Sequence, residues 1–216
     1  SLITRYLGNL PASGRKDGFR DTGMALRDGQ FDTLIVRGKT PKALVELVYH
    51  GGFSYEADNR YAFSSLLSVM QIRFREVLRE EQGGVYGVRV TGSYLQHPKP
   101  QYRITLTFNA DPEVVDSLVA SAKGVIRELA TAGPLPDLVD KVREMQWQNR
   151  VKQQQENSYW LAQLVTRYRE GLPLTGISLE DFQRTQQKLT PAFIQQAAQD
   201  YLQGVDLIQF VLKPEQ

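Results

Sequence analysis

The chain of 216 residues is long enough for one large domain or two small ones, and its 41% hydrophobic and 23% charged residues are ordinary for a soluble globular protein. Twenty-six Lys plus Arg against 24 Asp plus Glu leave a formal charge of +2, so nothing electrostatic points to nucleic acid or to an anionic membrane as partner. The lack of cysteine excludes disulfides and thiolate metal sites and suits an oxidising compartment without requiring one; no apolar run approaches the roughly 20 residues of a membrane span.

The opening run Leu2-Ile3-Thr4-Arg5-Tyr6-Leu7 reads as the last turns of a helix, and residues 1–10 are expected to be the tail of a helix from a preceding domain; they do not look like a signal peptide. Residues 11–30 carry Pro11, Gly14, Gly18, Gly23 and Gly29 among scattered charges with no apolar period, which predicts a linker with mobile backbone. A single domain is expected over residues 31–216. It opens with a short strand at Leu34-Ile35-Val36, broken by Gly38-Lys39-Thr40-Pro41. A more apolar strand follows over residues 43–49, which His50-Gly51-Gly52 should end.

Residues 55–81 form the longest helical pattern of the first half. Tyr61, Leu66, Val69, Met70, Phe74, Val77 and Leu78 recur about once per turn and define one apolar face. Strands follow over residues 85–94 and 101–109, separated by Gln96-His97-Pro98-Lys99-Pro100, whose prolines forbid continued pairing. In the second of them Tyr102, Ile104, Leu106 and Phe108 share one side and Arg103, Thr105 and Thr107 the other, the alternation of an antiparallel sheet covered on one face.

Helices dominate the rest. Asp111-Pro112 reads as an N-cap and first helical proline before an apolar series from Val115 to Leu129. Another helix starts at Asp137, and its polar stretch over residues 152–157 predicts a break. After that break residues 158–169 should pack through Tyr159, Trp160, Leu164 and Tyr168. Ser178 with Asp181 and Thr190-Pro191 mark two more helix starts, and residues 205–212 form a closing strand. Helices gathered in blocks between strands predict an α+β two-layer sandwich rather than a doubly wound sheet.

One stretch organises the reading of function. Arg79 ends the long helix, Gly83-Gly84 supply a turn with positive φ, and Tyr86 starts the next strand, so both side chains can reach one pocket. Taken singly, an arginine at a helix C-terminus complements the macrodipole, and a strand tyrosine simply packs. The segment Leu78-Arg79-Glu80-Glu81-Gln82-Gly83-Gly84-Val85-Tyr86, however, resembles the C-terminal half of the M16 (pitrilysin/insulinase-type) zinc peptidases. Family-like stretches also begin at Lys42-Ala43-Leu44-Val45 and Glu156-Asn157-Ser158-Tyr159, so the resemblance covers nearly the whole chain and is strongest to bacterial two-half enzymes of the PqqL type.

That resemblance implies the same α+β architecture, a mixed, largely antiparallel sheet with helices packed on one face, and a substrate-clamping domain of a zinc metalloendopeptidase, which hydrolyses peptides in a chamber between two halves. Arg79 and Tyr86 are then the catalytic residues of this chain, reaching the peptide carbonyls and the tetrahedral intermediate. Zinc lies in an N-terminal half, on the same chain or in a partner subunit, and the periplasm is preferred over the cytoplasm. The family binds its metal through His-x-x-Glu-His on a helix. The only histidines here are His50 and His97, neither with a second imidazole at helical spacing, so no zinc site is expected in this chain.

Other chemistries find no support. The carboxylate pairs Glu80/Glu81 and Asp140/Glu144 read as solvated faces, no hydroxyl nucleophile has a nearby histidine base, and neither Gly51-Gly52 nor Gly83-Gly84 sits in a phosphate-binding strand-to-helix turn. A non-catalytic M16-like partner subunit is the alternative reading, and a two-layer binding domain outside that family is a third.

Overall fold

The alternation read in the fourth strand decides which side of the sheet is buried. In the computed structural model, which describes residues 1–11, 14, 18, 22–83 and 85–215, Tyr102, Ile104, Leu106 and Phe108 are all at most 3% exposed. Their strand belongs to a five-stranded sheet: β1 (Gln30–Val36), β2 (Ala43–Gly52), β3 (Val85–Leu95), β4 (Gln101–Ala110) and β5 (Asp206–Lys213). The spatial order is β1-β5-β2-β4-β3; β1 runs parallel to β5 and every other pairing is antiparallel. The predicted α+β layer architecture is therefore the observed one.

Among the described residues seven α-helices accompany the sheet: α1 (Leu2–Tyr6), α2 (Ala57–Phe74), α3 (Val115–Thr131), α4 (Pro136–Gln153), α5 (Asn157–Glu170), α6 (Leu179–Gln186) and α7 (Pro191–Leu202). Helices α2, α3 and α7 pack together on the buried side of the sheet. Leu66, Val69, Met70 and Phe74 of α2 enter the core with Ala43, Val45, Leu47 and Tyr49 of β2. At one end of this layer Phe53 stacks on Tyr94 at 4.8 Å, and Phe63 meets Tyr102 and Tyr201 edge-on at 5.9 and 5.4 Å. The Tyr102 hydroxyl donates to the Tyr201 carbonyl at 2.9 Å, which satisfies both groups inside the core.

Several local expectations are revised. β2 does not stop at Tyr49: His50, Gly51 and Gly52 stay in the ladder opposite Arg103, Tyr102 and Gln101. Asp111-Pro112 does not open α3, because the Asp111 carboxylate accepts from the Glu113 N–H at 2.9 Å and closes a turn, delaying the helix to Val115. The break after α4 falls at residues 154–156, where the indole N–H of Trp160 donates to the Gln154 carbonyl at 2.8 Å. Only Tyr159 of α5 is buried. Leu164 and Tyr168 are exposed rather than packed. Ser178 and Thr190 cap α6 and α7 as their spacing suggests, each accepting from the N–H three residues on.

Of the linker expected over residues 11–30, residues 12, 13, 15–17 and 19–21 lie outside those described. Of the remainder, the Gly29 N–H donates to Asp206 at 2.7 Å, which ties the chain to the start of β5 just before β1 begins. Helix α1 buries none of its residues against the domain.

Two glycines give opposite tests of this packing. A β-carbon at Gly92 of β3 would stand 2.5 Å from Leu67 Cδ1 and 2.8 Å from Phe63 Cε1, under α2, whereas one at Gly124 inside α3 meets nothing within 4 Å. Gly92→Ala is expected to cost about 1–3 kcal/mol by overpacking. Gly124→Ala should stabilise by about 0.5–1 kcal/mol through helix preference. Urea unfolding of both variants checks the pair of signs.

Candidate functional site

The helix that carries Arg79 does not end as an α-helix. From Phe74 it continues without interruption into a π-helical segment, Arg75–Glu81, a wider winding that recurs at functional positions. Val77 and Leu78 remain in the core there, while Arg79 and Glu80 are exposed. Its course is fixed from the flank. Arg73 lies 3.6 Å from Glu76, 3.5 Å from Glu81 and 3.4 Å from Glu128 of α3, and the Gln82 amide donates to Ser121 Oγ at 2.7 Å. Glu81 is thus part of a surface ion-pair network. Asp140 pairs with Arg143 and Glu144 accepts from Gln148, so these carboxylates are engaged as solvated helix faces.

Gly83 then takes φ of +66°, the left-handed turn expected where the chain reverses; Gly84 lies outside the described residues. Val85 re-enters the core opposite Ala110, but Gly87 pairs with Asn109, so Tyr86 is the extra residue of a β-bulge. A bulge re-aims the side chain it inserts. Tyr86 is 66% exposed, and among the described residues its hydroxyl makes no hydrogen bond. Arg79 likewise makes no hydrogen bond or ion pair among them.

Arg79 and Tyr86 leave the two arms of one reversal, yet the domain by itself does not bring them into contact. An open depression of about 420 Å³ is walled by Tyr86, Gln82, Gly83, Asp111 and Ser117, and Arg79 is not part of its lining. Sequence reasoning missed Lys42. Its Nζ lies 4.5 Å from the centroid of the Tyr86 ring. Only the register reveals this, because Ala43 pairs with Ala110 and Ala110 with Val85, bringing the start of β2 to the start of β3 across β4.

The two histidines are far apart in role. His50 is 7% exposed on β2, with Nδ1 3.9 Å from Asp206 Oδ2 and a buried Nε2 that has no hydrogen-bond partner among the described residues. It borders a separate cavity of about 610 Å³ with Arg103, Ser93 and Leu26. His97 stands exposed between β3 and β4, 4.0 Å from Glu170. Among the described residues no three His, Cys, Asp or Glu side chains gather as a metal would require.

The arrangement has recognisable relatives. A probable zinc protease PqqL of Haemophilus influenzae is 26% identical over 142 residues, which is 65% of this chain but 15% of that protein's length. Among solved structures, the periplasmic protease PqqL from Escherichia coli superposes with a TM-score of 0.79 at 18% identity, over 99% of this chain and 24% of that one. The ferredoxin protease FusC, solved as a point mutant in complex with Arabidopsis ferredoxin, gives 0.81 at 17% identity, over 99% and 23%. These likenesses show the fold. The sequence model described as the peptidase M16 inactive domain matches residues 1–146, and the chain belongs to that family.

Proposed function

We propose that this domain is the substrate-facing, metal-free part of an M16 zinc metalloendopeptidase. In this reading the zinc and the attack of water on the scissile carbonyl belong to a half of the protein outside this chain. The observation that carries it is that the Arg79 guanidinium and the Tyr86 hydroxyl, on the two arms of one reversal, make no hydrogen bond or ion pair among the described residues. Each suits one task. As negative charge grows on the carbonyl oxygen, the Tyr86 O–H donates to it, a stabilisation that exists only in the transition state. The planar fork of Arg79 grips a neighbouring backbone carbonyl and fixes register without reading sequence.

Length supports a division of labour, since the chain spans 15% of the curated relative and about a quarter of each structural neighbour. Substrates are peptides, and the partner is the zinc-bearing half, on the same chain or on another subunit. The Escherichia coli relative is described as periplasmic, and we assign this protein to the same compartment.

Two measurements test the reading. The isolated 216-residue chain should be folded, retain no stoichiometric zinc after dialysis, and cleave no quenched fluorescent peptide; zinc that survives dialysis contradicts it. In the complete protein, Tyr86→Phe should lower kcat by about 10²–10³-fold with little change in melting temperature. Arg79→Ala should raise KM as well as lower kcat, because a carbonyl grip is partly ground-state binding, and Arg79→Lys should not restore it. A purely structural partner subunit predicts a silent Tyr86→Phe and a cost of a few tenths of a kcal/mol for Arg79→Ala at a helix end.

A further inference from the structure

We infer that Lys42 is a positioning residue for Tyr86: its ammonium holds the phenol ring in the orientation that presents the hydroxyl to substrate. The inference rests on the role proposed above for Tyr86 and adds a residue to that site. A tyrosine inserted at a bulge on an edge strand, two-thirds exposed and with no hydrogen bond to its hydroxyl, is free to swing about its first two side-chain torsions. A group that must meet an oxyanion within a few tenths of an ångström cannot be left so.

Among the described residues one contact restrains the ring. Lys42 Nζ sits 4.5 Å from its centroid, within the range of a cation–π interaction. The lysine reaches it from a fixed base. The Lys42 N–H donates to the Thr40 carbonyl at 2.7 Å, and the next residue, Ala43, is fully buried in register with Ala110. Among the described residues no carboxylate pairs with Lys42. Asp111, which borders the same depression, accepts from the Glu113 N–H, and Asp116 is paired with Lys213 at 3.0 Å. The face of the ring is therefore what engages the Lys42 ammonium, leaving the phenol edge and its hydroxyl open.

Acting through Tyr86 rather than on the peptide, Lys42 should affect the transition state and not ground-state binding. In the complete protein, Lys42→Met is expected to lower kcat about 2–5-fold at unchanged KM, the size of one exposed cation–π contact. Lys42→Arg should restore it, since a guanidinium also lies over an aromatic face. The Kd of a phosphinic pseudopeptide, a stable mimic of the tetrahedral species, should weaken by the same factor in Lys42→Met, with the Kd of the product peptide unchanged. In a Tyr86→Phe background, which keeps the ring but has no hydroxyl to aim, Lys42→Met should have no further effect. A slow Tyr86→Phe enzyme in which Lys42→Met still costs its full factor overturns this inference alone, as does a Lys42→Met effect confined to KM. A fully active Tyr86→Phe overturns the Tyr86 role and this inference with it.

Discussion

The packing of α2 onto one side of the sheet is the constraint on which the rest of the molecule depends. Leu66, Val69, Met70, Phe74 and Leu78 are each completely buried, so the helix cannot rotate or slide without opening the core. That lock extends through the π-helical segment, whose Val77 and Leu78 keep facing inward while Arg79 is turned outward. Val85 anchors the other arm of the reversal at 6% exposure. Each member of the exposed pair thus follows directly on a buried residue, Arg79 on Leu78 and Tyr86 on Val85, which fixes where it leaves the core.

The same one-sided burial explains why much of the fold was legible. Period-2 alternation in residues 102–108 and the apolar face of residues 61–78 both report contact with a core, and core contact is what hydrophobic patterning encodes. Caps at Ser178 and Thr190 were readable because their hydroxyls bond to backbone only three residues away. The errors share a cause as well. His50-Gly51-Gly52 looked like a strand end, but pairing with Arg103, Tyr102 and Gln101 on β4 overrides the weak local preference. Leu164 and Tyr168 have the spacing of a packed helix face, yet periodicity cannot say whether another element stands opposite.

At the site, sequence and structure divide differently. The motif from Leu78 to Tyr86 named Arg79 and Tyr86 through family resemblance, and the glycine turn predicted their common reversal. The π-helical winding, the bulge at Tyr86 and the approach of Lys42 were not readable, because each depends on pairing across the sheet or on tertiary packing of the preceding helix. Membership of the peptidase M16 inactive domain family fits a chain whose histidines sit singly, one beside Asp206 and one beside Glu170.

The most direct test is a structure of the complete, zinc-loaded protein with a phosphinic pseudopeptide bound in the chamber. The account predicts the Tyr86 hydroxyl at about 2.7–3.1 Å from a phosphinyl oxygen, the position an oxyanion donor must occupy. Arg79 should be seen donating to a backbone carbonyl of the same ligand. A bound ligand with Tyr86 turned to bulk water and no ligand atom in hydrogen-bonding range would contradict it.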